Sequence, residues 1–236
     1  MLAAADVDEI ASQVIADVRP YTMSTVPNLT QTIRLAIESI ETGRKGDFVE
    51  CGTWMGGASF AMLLAQRRLY GKIIKPVWMF DSFQGLPPAD ERDGPLALKY
   101  QCEIHAPEYF DNCRAPLQKV LQAVESFGLG PQEAIVVPGW FNDTLPTHKG
   151  ELAKRGLAVL RIDCDWYAPV FYVLQELTPF VPEEGAIILD DYYAYDGCAR
   201  ATHDFLSQNH LSWRIRSIDR FHGAWMIRRA HRTGAL

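Results

Sequence analysis

The chain alternates between two hydrophobic rhythms. Near the start, Ile10, Val14 and Val18, then Ile33, Ile37 and Ile40, recur at helical spacing and predict helices over about 6–18 and 27–42. Short apolar runs bounded by Gly, Pro or Asp follow. They are DFVEC (47–51), PVWMFD (76–81), EAIVVPG (133–139), LAVLRID (157–163) and GAIILDD (185–191), and helical patterns separate most of them. Continuous apolar runs alternating with helices imply a parallel, doubly wound sheet, with helices on both faces. At the end, SWRIRSI (212–218) and AWMIR (224–228) read as an antiparallel β-hairpin that closes the sheet.

One stretch breaks the rhythm. Residues 82–113 show no clear period and are punctured by Pro87, Pro88, Pro95 and Pro107. Long irregular segments in compact domains are often lids or substrate loops, which is the expectation for 82–113; a solvent-exposed insertion is the plainer alternative. A length of 236 residues suits one α/β domain, 1–236, with 1–45 as an N-terminal helical segment.

Composition narrows the class. Hydrophobic residues make up 48% and charged residues 22%, as in ordinary globular chains. The formal net charge of −6 argues against a nucleic-acid partner. No stretch approaches the roughly 20 apolar residues of a membrane span. The start, MLAAADVDEI, lacks the basic region and long apolar core of a signal peptide. Five cysteines, none in a CxxC pair, suggest neither a disulfide framework nor a zinc site, but buried thiols in a reducing cytoplasm. The apolar content and the irregular insertion are compatible with a homo-oligomer.

Three motifs carry chemistry. In VECGTWMGGAS (49–59) a strand ends, glycines follow at 52, 56 and 57, and a helix begins. Gly52 allows a tight turn, and Gly56 and Gly57 let a ligand approach the backbone near a helix N-terminus. The motif is neither a Walker loop nor a GxGxxG fingerprint. Glu50 can accept from a ligand's ammonium group, such as the methionine end of S-adenosylmethionine. In WMFDSFQGLP (78–87), Asp81 ends the second strand, where an acid bonds ribose hydroxyls in nucleotide-binding sheets; the alternative is a loop cap. RIDCDWYAP (161–169) and ILDDYYAYDG (188–197) bring Asp163, Asp165, Asp190 and Asp191 to the ends of strands four and five. Ligands bind beyond strand carboxyl ends in such sheets. Four converging carboxylates repel unless a cation offsets them, and hard oxygen ligands favour Mg²⁺, Mn²⁺ or Ca²⁺. Singly, Asp165 or Asp191 could instead cap a helix. If the strand stays extended, Asp163 and Asp165 share one face, whereas Asp190 and Asp191 both reach the site only if the chain bends after Asp190. Arg161 is a candidate internal ion-pair partner. His105, His203 and His222 are rival bases.

Together, GDFVECGTWMGG, FDSFQGLP, GWFNDTLP, RIDCDWY and LDDYY resemble the macrocin O-methyltransferase family, whose members methylate sugar hydroxyls on secondary metabolites. The resemblance runs from about Tyr21 to Arg228. It implies a Rossmann-like methyltransferase fold, S-adenosylmethionine as donor and Mg²⁺ as metal. By position it makes Asp163, Asp190 and Asp191 metal ligands and Asp165 the general base. It assigns the donor to Glu50, Gly52, Trp54, Gly56, Ser59, Asp81, Ser82 and Asp163, with Gly139, Trp140 and Phe141 at the adenine, and YTMST (21–25) over the methionine end. A metal would stabilise the developing alkoxide while Asp165 takes the proton, and a second hydroxyl could chelate the same ion. The natural acceptor is then a small molecule, a sugar with a vicinal diol. A catechol or phenol acceptor is the alternative enzyme reading. A non-catalytic S-adenosylmethionine- or nucleotide-binding module is the other, but it has no need of the four aspartates. A metal-dependent hydrolase has no use for Glu50 and the glycine turn.

Overall fold

The computed structural model describes residues 4–107, 109–219, 221 and 223–229. His222 therefore lies outside the described residues. Two helices lead, α1 (Ala4–Val18) and α2 (Val26–Glu41); Thr25 caps α2 by accepting from the Asn28 amide. The core then alternates β1 (Asp47–Cys51), α3 (Gly57–Tyr70), β2 (Val77–Asp81), α4 (Gly94–Cys102), α5 (Leu117–Ser126), β3 (Ala134–Pro138), α6 (Phe141–Arg155), β4 (Leu157–Ile162), α7 (Tyr167–Leu177), β5 (Ala186–Leu189) and α8 (Asp196–Gln208). Two strands follow, β6 (Arg216–Ser217) and β7 (Ala224–Ile227).

The seven strands form one sheet in the order β3-β2-β1-β4-β5-β7-β6. β1 to β5 are parallel, and β7 lies antiparallel to β5 and β6. Every residue of β1, β4 and β5 is buried, which explains why these strands read as unbroken apolar runs. One core layer sets Phe48, Met79, Val159 and Ile188 against α1, α2, α3 and α5; the other sets Val49, Phe80, Leu160 and Leu189 against α6, α7 and α8. The strand order reverses between β1 and β4. That switch point opens a crevice at the carboxyl ends of the strands, the usual ligand site of such sheets.

The sequence expectation differs from the structure in two places. The hairpin is much shorter than predicted, because Ser212–Ile215 do not pair. The Trp213 indole turns inward instead, donating to the Arg229 carbonyl at 3.0 Å and packing on Phe205. The segment 82–113 is irregular only in part, since it contains α4 and short 3₁₀ turns at Glu91–Asp93 and Asp111–Cys113. Of the cysteines, Cys51, Cys164 and Cys198 are buried and free, whereas Cys102 is exposed. Among the described residues no helix is long and apolar enough to cross a membrane.

Candidate active site

A cavity of about 640 Å³ occupies the crevice. Its floor is the turn after β1 (Gly52, Thr53, Trp54), and Asp81 with Ser82 after β2 forms one side. Asp163 and Asp165 after β4 and Asp190 and Asp191 after β5 form the other. Gly52 has a φ of +86°, and a Cβ there would stand 1.7 Å from the Asp163 carbonyl oxygen. Only glycine lets these two loops touch. Asp81 receives the Thr53 and Trp54 amides at 2.8 Å and the Phe83 amide at 2.7 Å, so it clasps the glycine turn. Burial raises its pKa, and the three amides oppose that rise.

Glu50 and Arg161 are register partners on β1 and β4, and both are fully buried (1% and 0% exposed). Arg161 donates to Glu50 at 2.5 Å, to Asp163 at 2.6 Å, to the Ser24 hydroxyl at 2.7 Å and also to Asp190. Asp190 further accepts from Asn28 at 2.9 Å and from Ser24 at 3.2 Å. Glu50 also accepts from Ser59. One guanidinium thus serves three carboxylates. Burial raises the Glu50 pKa to about 7, against the pull of Arg161 and with a push from Asp163. Burial raises Asp190 to about 6, again against Arg161. Asp165 and Asp191 are driven well above the carboxylate range, first by burial and then by the acids around them.

The chain does bend after β5. The strand ends at Leu189 and a turn follows, so Asp190 and Asp191 both line the cavity. The condition of an extended strand through Asp165 is not met. β4 ends at Ile162, the Trp166 amide bonds the Cys164 carbonyl at 2.6 Å, and Asp165 sits in the resulting turn with φ +56°. That conformation is strained for a residue with a Cβ, though an aspartate tolerates it better than most. Carboxylate oxygens of Asp163, Asp190 and Asp191 lie within 4.8 Å of one another, and among the described residues the buried Asp191 Oδ2 has no hydrogen-bond donor. Three converging acids and an orphaned oxygen fit a hard divalent cation.

The sequence matches the profile of the family described as macrocin-O-methyltransferase (TylF) over residues 7–227. The chain belongs to this family. It is 37% identical over 179 residues to the 8-demethyl-8-(2,3-dimethoxy-alpha-L-rhamnosyl)-tetracenomycin-C 4′-O-methyltransferase of Streptomyces olivaceus, covering 75% of this chain and 64% of that relative. It is 32% identical over 203 residues to the mycinamicin III 3″-O-methyltransferase of Micromonospora griseorubida, covering 85% and 76%. Among solved structures, the O-methyltransferase NovP aligns with a TM-score of 0.75 at 29% identity, over 89% of this chain and 83% of that one. The calicheamicin methyltransferase CalS11 shares the fold, with a TM-score of 0.65 at 20% identity over 96% and 94%.

Within this chain, most residues singled out from sequence meet at one cavity. Glu50, Gly52, Trp54, Asp81, Ser82, Trp140, Phe141 and all four aspartates line it. Gly56, Ser59 and Gly139 do not. Gly56 takes a φ of +91° at the start of α3, where a Cβ would strike Phe60, and Ser59 serves the cavity only through Glu50. Gly57, which does line it, lets Tyr21 and Thr22 close over α3. His105 and His203 are exposed, and His203 bonds the Tyr192 hydroxyl. Sequence reading passed over Asn28 and the aromatic wall of Tyr100, Phe110, Tyr193 and Tyr195. The available signal for Asn28 was a polar residue at helical spacing from Thr32 and Ser39 in α2.

Proposed function

We propose that this chain is an S-adenosylmethionine-dependent O-methyltransferase that methylates a sugar hydroxyl of a glycosylated natural product, with Mg²⁺ and Asp165 as general base. The observation that carries the reading is the trio Asp163, Asp190 and Asp191, with its unpartnered Asp191 oxygen, in the same cavity as Asp165 and Asp81.

S-adenosylmethionine supplies a methyl group that is already activated, so the chain's task is to position the acceptor and take its proton. Asp81 would hold the ribose hydroxyls, and Trp140 and Phe141 would flank the adenine. Glu50, oriented by Arg161 and Ser59, would receive the donor's ammonium group. Asp163, Asp190 and Asp191 would hold Mg²⁺, which supplies Lewis-acid stabilisation of the acceptor oxygen. Asp165 would remove the hydroxyl proton.

The mouth of the cavity favours a finished glycoside. Met23, Leu96, Phe110, Tyr193 and Phe221 all line it and all are exposed, Phe221 at 71%. An apolar aglycone would cover them. Two relatives are named for a rhamnosyl-bearing tetracenomycin and for mycinamicin III, which supports a sugar-bearing acceptor. The test is calorimetric titration with S-adenosylmethionine, followed by methyl transfer to an aryl rhamnoside with and without Mg²⁺. Donor binding with metal-dependent transfer to the rhamnoside is expected. Transfer to catechol in preference would shift the acceptor class, and no donor binding would overturn the reading.

A further inference from the structure

One buried carboxylate of the segment 82–113 reaches the turn that follows β4. Asp93 is 3% exposed. One oxygen accepts from the Asp90 amide at 2.8 Å, closing the 3₁₀ turn at Glu91–Asp93. The other accepts from the Tyr167 amide at 2.5 Å, across 74 residues of sequence. Tyr167 is the first residue of α7, and Trp166 before it offers no side-chain cap. Asp93 therefore caps α7 from a distance, satisfying an N–H that no residue of that helix can serve. The fit is close on every side. A Cβ at Gly197, in the first turn of α8, would stand 2.3 Å from the Asp93 oxygen and 2.7 Å from the Tyr167 amide. A Cβ at Gly94 would meet the Asp196 carboxylate at 2.4 Å.

What this junction holds is the turn that carries Asp165. Asp165 has φ +56°, a conformation that persists only where its surroundings enforce it. Both residues after it are tied to the 82–113 segment. The Trp166 indole, 1% exposed, donates to the Pro87 carbonyl at 3.0 Å, and the Tyr167 amide goes to Asp93. We propose that Asp93 is a positioning residue for methyl transfer: seated at the base of the 82–113 segment, it caps α7 and so holds Asp165 in its left-handed turn. This inference rests on Asp165 as the base. Asp93 itself does not line the cavity and acts only through the backbone of the following turn.

The test is a double-mutant cycle on the full chain, with S-adenosylmethionine, Mg²⁺ and an aryl rhamnoside as acceptor. D93A should lower kcat about ten- to hundredfold, since a small misplacement of a reacting group has that effect. D93N keeps one acceptor oxygen and should lose only about three- to tenfold. The Kd for S-adenosylmethionine, measured by calorimetry, should stay within about twofold for both. In the D165N background, either substitution should cost less than about twofold, because the group it positions is already gone. Equal losses in both backgrounds, an unchanged kcat for D93A, or a tenfold weaker donor Kd would each overturn the proposal. Should D93A fail to fold, D93N carries the same cycle. If D165N itself turns over at the wild-type rate, the base assignment is at fault and this proposal falls with it. Multiplying losses alongside an impaired D165N would sink the Asp93 role alone.

Discussion

Glu50 and Arg161 face each other in the register of β1 and β4, and Arg161 Nη1 donates to Glu50 Oε1 at 2.5 Å. The same guanidinium also binds Asp163 and Asp190. Breaking a buried ion pair by removing one partner costs about 3–5 kcal/mol, since the other charge stays buried. R161M should lose at least that much in urea unfolding. R161K should recover only part of it, because an ammonium cannot fork between three acids. An R161M protein as stable as wild type would show that the network contributes nothing to the fold.

Glu50 titrates near 7 in the folded chain, above its ordinary 4.5, with burial as the main cause. The folded state thus binds this proton more tightly than the unfolded state. Its contribution to stability is full below pH 4.5, fades between 4.5 and 7, and is absent above 7. E50Q stays neutral throughout. The stability of E50Q relative to wild type should therefore rise by roughly 3 kcal/mol between pH 4.5 and pH 8. Urea unfolding of both proteins at several pH values checks this, and a pH-independent difference would contradict it.

Asp81 clasps the glycine turn through three amides and borders the cavity. A hydrogen bond to a charged acceptor contributes about 1.5–3 kcal/mol, so D81A should weaken S-adenosylmethionine binding roughly ten- to hundredfold by calorimetry. Equal affinity for wild type and variant would remove Asp81 from the donor site.

The aspartates should divide by role. Exhaustive chelation should abolish methyl transfer to an aryl rhamnoside, and Mg²⁺ should restore it. D165N should keep metal and donor binding and lose about 10²–10⁴-fold in kcat, the range for a general base. D191N should weaken Mg²⁺ binding, so that excess metal partly rescues its rate. The measurement is the Mg²⁺ dependence of kcat. Rescue of D165N and not of D191N would reverse the assignment.

The strands were legible because burial on both faces leaves a plain signature: DFVEC and LAVLRID are mostly apolar, and two of their charged residues, Glu50 and Arg161, are partners. Glu50 stood out in the sequence as a ligand for an ammonium group. Its neighbour in space could not be read, since strand register is set by the whole sheet. The left-handed turn at Asp165 was equally hidden, because it depends on Pro87 and Asp93, far away in sequence. Asp93 itself lies in ADERDG, which reads as a solvated acidic loop, yet it is buried. Trp213 shows the opposite failure. Its strand-like surroundings suggested a hairpin, but one large side chain gained more from burial beneath the sheet's edge than from pairing.

The missing side chain at Gly52 bears on redesign. With its α-carbon resting on the Asp163 carbonyl, the turn after β1 and the turn after β4 are a single block, and neither can be exchanged for a homologous stretch without its mate. The exchangeable part is the outer wall, Leu86 to Cys113, which is tied to that block through the Pro87 carbonyl and the Asp93 carboxylate. A chimera meant to carry a different acceptor should be cut there, with Asp93 transplanted inside the graft.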